Sequence, residues 1–171
     1  MTRTRLLLVV AAAIVTLDQV TKAWAVRALD DRTIVIIEGF LELDLTLNPG
    51  AAFSSLQDVG PLIGILAIGV AVWLVILIRR RPAPVEAWGL ALVLGGAVGN
   101  LVDRLTRGDG LLDGAVVDFV DLWWIPTFNV ADMAITFGAA TLLTAALISE
   151  WGHRPSPAKD DEEPSPARDV R

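Results

Sequence analysis

The chain has 171 residues, 54% of them hydrophobic and 20% charged, an apolar share too high for an ordinary soluble domain of this length. Its 14 Lys and Arg against 20 Asp and Glu give a net charge of −6, which leaves no basic surface for nucleic acid. With no cysteine and one histidine, His153, disulfides, thiolate nucleophiles and Cys/His zinc sites are excluded, and any chemistry falls to carboxylates, hydroxyls or Lys22.

Four stretches are long and apolar enough to cross a bilayer, which takes about 20 residues. They cover approximately 6–26, 61–78, 87–105 and 131–149, and all are expected to be helices because backbone groups in lipid must find partners within their own segment. A cleaved secretory signal is the rival reading of the first stretch, with Ala23-Trp24-Ala25 as its cleavage site. Asp18 and Lys22 stand between the apolar run and that site, which disfavours it. The basic residues Arg3, Arg5, Arg79, Arg80, Arg81, Arg154, Lys159, Arg168 and Arg171 flank one side of the spans, so both termini are expected in the cytoplasm. Trp24, Trp88, Trp123, Trp124 and Trp151 fall near span ends, where an indole suits the headgroup layer.

The two outward connections differ from the spans. Leu41-Glu42-Leu43-Asp44-Leu45-Thr46-Leu47 alternates apolar and polar residues, and Gly39 separates it from the β-branched run Thr33 to Ile37. This pattern predicts a small sheet lying on the outer membrane surface. Residues 1–151 read as one four-helix membrane domain. Residues 152–171, rich in Pro and acids, read as a disordered tail.

Charges inside spans need an explanation, since each costs about 2.5–3.5 kcal/mol at mid-membrane. Asp18 and Lys22, four apart, share a helical face and can pair; alternatively Lys22 could act as a base toward Ser54 or Ser55. Asn100, Asp103 and Arg104 share a face at the end of the third span, after the small residues Gly95-Gly96-Ala97 and Gly99. Asn48-Pro49-Gly50 reads as a turn.

Asp118 and Asp132 are the most informative pair. On one continuous helix they would lie about 21 Å apart, but Pro126 argues against such a helix. A fold-back there brings Asp118, in the extended piece Val116 to Val120, toward Asp132 in the first turn of the fourth helix. Two carboxylates in a poorly hydrated site share a proton and can serve as base and acid toward an amide. The competing reading of Asp132 is a capping box with Asn129, and Asp118 can equally be a solvated loop acid. Rival functions for the whole chain are a serine-lysine membrane peptidase and a small transporter or channel subunit that uses intramembrane acids.

Five motifs occur in order: Asp18-Gln19-Val20-Thr21-Lys22, Asn48 to Ser54, Gly95 to Arg104, Val116-Val117-Asp118-Phe119 and Phe128-Asn129-Val130-Ala131-Asp132. From about Leu6 to Ser149 the chain resembles the lipoprotein signal peptidase (signal peptidase II) family. The resemblance implies an all-α inner-membrane aspartyl endopeptidase with four transmembrane helices, a small extracytoplasmic sheet and an active site near the outer leaflet. Such enzymes remove the signal peptide from diacylglyceryl-modified bacterial prolipoproteins just before the lipidated cysteine. Position by position, it implies Asp118 and Asp132 as the catalytic dyad. Asp18, Lys22, Asn48, Asn100, Asp103, Arg104 and Asn129 become residues that orient the dyad or hold substrate. It further implies inhibition by globomycin-like lipopeptides, contact with membrane lipid, and no metal or cofactor. The stretch Leu105 to Ala115 is several residues longer than the corresponding family loop.

Overall fold

A computed structural model of the chain describes residues 2–50 and 60–152. Four helices, α1 (Arg3–Ala28), α2 (Gly60–Arg79), α3 (Pro84–Thr106) and α4 (Val130–Gly152), are each apolar and long enough to span a membrane. The chain is a multi-pass membrane protein. The helices run a few residues beyond the apolar windows at most of their ends, because a helix continues into the interface until a cap or proline stops it. Pro84 begins α3, where a missing N–H is harmless, and Glu86 accepts from the Ala83 amide to close the first turn. Of the tail expected from residue 152, only Gly152 is described; the remainder, like Ser54 and Ser55, lies outside the described residues.

Helix α3 is central and packs on each of the other three. At the end away from the sheet, Leu7 and Ala11 of α1 meet Leu74 and Ile78 of α2 and Ala87, Leu90 and Leu94 of α3 in one apolar cluster. Between α3 and α4 the backbones nearly touch. A methyl added at Gly89 would stand 3.0 Å from the carbonyl oxygen of Gly138, one at Gly138 would stand 2.7 Å from that of Gly89, and one at Gly96 would collide with the carbonyl of Ala131. Small residues at these places permit close helix contact.

The sheet has four antiparallel strands in the order β1 (Ile34–Ile37), β2 (Leu41–Asn48), β3 (Val116–Leu122) and β4 (Ile125–Phe128). The first three strands match the sequence patterns. The fourth, and the tight β3–β4 hairpin with Leu122 opposite Ile125, is an addition. Pro126 blocks a helix as expected, yet it fits a strand because β4 lies at the sheet edge, where a missing N–H breaks no ladder bond. Trp123 and Trp124 form the turn, 72% and 64% exposed. Val117 and Phe119 of β3 pack with Ala25 of α1, with Leu29 just past its end, and with Leu43 and Leu45 of β2, and Trp24 meets Phe119 edge to face at 6.3 Å. Thus one face of the sheet sits on the end of α1.

The long loop after α3 is compact. Leu112, in the left-handed region at φ 66°, is buried against α2, where a Cβ on Gly64 would stand 2.6 Å from it. Both Asp113 carboxylate oxygens accept from the Gly110 amide, and the Gly114 amide donates to the Arg104 carbonyl. The extra residues therefore fold onto the helix ends and leave the entry to β3 well defined.

Candidate active site

The site is built where β2, β3, α3 and the start of α4 converge. Thr46 pairs with Asp118 across β2 and β3, and Asn48, two residues on, pairs with Val116. Because side chains two apart share a strand face, the Asn48 amide reaches across and donates to Asp118 Oδ2 at 3.1 Å. Asn48 Oδ1 accepts from the Gly50 amide at 2.9 Å, closing a turn. Gly50 takes φ 91°, and a Cβ there would stand 2.8 Å from a guanidinium nitrogen of Arg104. Arg104 thus lies beneath the turn, 7% exposed.

On the other side Asn129 holds both acids. Its Nδ2 donates to Asp118 Oδ1 at 2.6 Å, and its backbone N–H donates to Asp132 Oδ2 at 3.2 Å. In return Asn129 Oδ1 accepts from the Asp132 amide at 3.0 Å. The capping box read from the sequence is therefore real, and it does not compete with a site role: Asp132 caps through Oδ2 while Oδ1 accepts from Asn100 Nδ2 at 2.8 Å. The fold-back at Pro126 brings the two acids to one cavity of about 370 Å³, lined otherwise by Asn48, Asn100, Arg104 and apolar residues of α2, α3 and α4. Asp118 is 2% exposed. Burial pushes its carboxyl above the usual aspartate range, the nearby Asp132 charge adds to the rise, and the amides of Asn48 and Asn129 oppose it.

Behind the cavity lies a second, ionic cluster. Lys22 Nζ contacts Asp18 Oδ2 and Asp103 Oδ2, each at 2.9 Å, and donates to Asn100 Oδ1 at 2.8 Å. Lys22, Asp18 and Asp103 are all fully buried. All three ammonium hydrogens have acceptors, as a buried lysine requires. The remaining carboxylate oxygens organise backbone: Asp18 Oδ1 accepts from the Ala131 amide at the start of α4, and Asp103 Oδ2 from the Val117 amide in β3. Asn100 Oδ1 also accepts from Asn129 Nδ2 at 3.1 Å, which joins the two clusters.

All nine residues singled out from the sequence therefore fall in one connected assembly. Two further members were not singled out. Gln19 Nε2 donates to the Gly99 carbonyl and to Asp18 and Asp103, and Arg107 Nε binds Asp103 Oδ1 at 2.9 Å. The place of Gln19 between Asp18 and Lys22 was the available signal; Arg107, four residues after Asp103, was readable as an ion pair. Ile63, Leu66, Ala67 and Val70 of α2 wall the cavity and carry no polar mark that would distinguish them from other lipid-facing residues. Among the described residues no group of three or more His, Asp or Glu side chains could hold a metal ion.

The family described as Signal peptidase (SPase) II matches residues 10–148. The chain belongs to the signal peptidase II family. It is a membrane peptidase, which removes the transporter reading. A lipoprotein signal peptidase of Rhodococcus jostii is 44% identical over 147 residues, covering 85% of this chain and 74% of that protein. One of Mycolicibacterium smegmatis is 42% identical over 171 residues, covering 98% and 73%. Two solved bacterial membrane enzymes are similar in fold. The first has a TM-score of 0.74 and 26% identity, covering 90% of this chain and 94% of that one; the second has 0.72 and 29%, covering 82% and 92%. Signal peptidase II membership thus agrees with the four spans, the small sheet and the motifs that meet at the cavity.

Proposed function

We propose that this chain is an aspartyl endopeptidase of the bacterial inner membrane that removes the signal peptide from diacylglyceryl-modified prolipoproteins, cutting just before the lipidated cysteine. Asp118 and Asp132 form its dyad. The observation that carries the reading is the double grip of Asn129, which binds one oxygen of each acid at the edge of a single cavity. Burial favours the proton on Asp118, although a close pair titrates as a unit.

In this mechanism Asp132 takes a proton from a water molecule, whose oxygen forms a bond to the scissile carbonyl carbon. Asp118 supplies a proton to the substrate. Collapse of the tetrahedral intermediate breaks the C–N bond, and the leaving nitrogen departs protonated, as the amine of the lipidated cysteine. Asn48, Asn100 and Asn129 keep the carboxylates oriented, while Asp18, Lys22, Asp103 and Arg104 hold the starts of α4 and β3 and the Asn48 turn. Asp132 also borders a second, apolar cavity of about 420 Å³ beside Phe128, Met133 and Phe137, which leaves room for substrate on both sides of the cleaved bond. Acyl chains lie among the helices, and a globomycin-like lipopeptide would occupy the same groove. Both termini are cytoplasmic, the dyad faces the outer leaflet, residues 1–151 act as the catalytic unit and the tail from 152 is dispensable.

The test is cleavage of a diacylglyceryl prolipoprotein by the detergent-purified chain. Asp118→Asn and Asp132→Asn should each reduce turnover by about 10³-fold, and Ser54→Ala should leave it near the parent rate. Parent-like turnover in either Asp variant overturns the dyad.

A further inference from the structure

At the end of the bundle opposite the sheet, the start of α1, the end of α2 and the start of α3 enclose a cavity of about 300 Å³ that no part of the peptidase reading uses. Its floor is apolar: Leu7, Ile78 and Ala87 are each 3% exposed or less. Its mouth is polar and cationic, lined by Thr2, Thr4, Arg3 and Arg81. Arg81 stands at φ 56°, a left-handed conformation that a non-glycine residue adopts against an energetic preference. Arg5, Arg79 and Arg80 lie on the same face of the bundle and are exposed. Among the described residues, none of these five arginines has an ion-pair partner. The nearest acid in sequence, Glu86, is engaged by the Ala83 amide.

A pocket with an apolar floor and two unneutralised guanidinium groups, located where three membrane helices end, has the chemistry of a receptor for a phosphate diester whose other end is hydrocarbon. The hydroxyls of Thr2 and Thr4 add donors at the rim. We propose that this cavity binds the headgroup of an anionic phospholipid, with its phosphate between Arg3 and Arg81. Binding there would tie the start of α1 to the α2–α3 connection, at the far end of the molecule from the dyad.

The experiment uses the full chain in nanodiscs of phosphatidylcholine into which phosphatidylglycerol is titrated, with bound lipid counted by native mass spectrometry and thermal stability followed in parallel. The parent should retain phosphatidylglycerol in preference to phosphatidylcholine and melt at higher temperature as its fraction rises. Combined Arg3→Gln and Arg81→Gly should weaken retention by about tenfold; the glycine removes the guanidinium while relieving the left-handed backbone, so misfolding does not mimic the result. Combined Arg79→Gln and Arg80→Gln, which changes net charge equally but leaves the cavity lining intact, should retain the lipid. Equal loss in both double variants means diffuse attraction to an anionic surface and overturns the site. No preference for phosphatidylglycerol overturns it as well, and so does an equal stabilisation by inorganic phosphate in phosphatidylcholine discs, which would assign the pocket to a free anion.

Discussion

Two pairs of aspartates sit side by side in this molecule, and they are held in opposite ways. Asp18 and Asp103 share one ammonium, Lys22, and their remaining oxygens take backbone N–H groups and neighbouring side chains. Asp118 and Asp132 share an asparagine, with two more amides on their outer oxygens. Among the described residues neither forms an ion pair. In the first pair one shared cation offsets two buried charges and ties α1 to α3. In the second, amides fix the direction of each carboxylate and supply no counter-charge. The same residue type is tied to a cation in one pair and to amides in the other.

The largest way to break this contrast is to remove the cation. Lys22→Met leaves Asp18 without a cation and Asp103 with Arg107 alone, and should destabilise the protein by about 3–5 kcal/mol, read as a drop in melting temperature in detergent. Adding Asp18→Asn and Asp103→Asn should recover much of that loss, because the charges needing compensation are then gone.

The dyad should respond differently. Asp118→Asn removes turnover but retains the fold. The folded chain holds the Asp118 proton more tightly than the unfolded chain does, so parent stability relative to this variant should fall as pH rises from the usual aspartate value of 3.8 through the raised one, and level off above it. Melting curves of both proteins across that range check the sign.

A smaller effect comes from placing a cation next to the reactive pair. Asn48→Lys sets an ammonium beside Asp118 and should move the alkaline limb of the kcat/KM profile to lower pH by about one unit. Least of all should follow from Arg107→Gln. Its contact with Asp103 is partly solvated, and its loss should cost below about 1 kcal/mol.

The spans were legible because an apolar run of that length carries its own meaning in any context. The members of the site were legible because charges and amides inside such runs demand partners. Their convergence was legible only in outline: Pro126 excluded a continuous helix, but the distance and angle of return depend on β4 pairing along β3. That strand was hidden, since a proline and two tryptophans in six residues carry no alternation of apolar and polar positions. Likewise the alternating Leu of β2 suggested one dry and one wet face, whereas most of the strand is half-buried on both. Sheet neighbours and helix ends cover it, and neither is visible in a local pattern. The second role of Asn129 was concealed by its first, because a capping box accounts for Asn129 and Asp132 without any need for Asp118.

Where α3 meets α4, peptide groups come into contact at Gly89 with Gly138 and again seven residues along at Gly96 with Ala131, with Leu142, Val93 and Ile135 packed beside them. The facing wall of the cavity is made by the side chains of Ile63, Leu66 and Val70. A methyl group added at Gly96 would press on the Ala131 carbonyl, next to Asp132, and on Ile135 in the cavity wall.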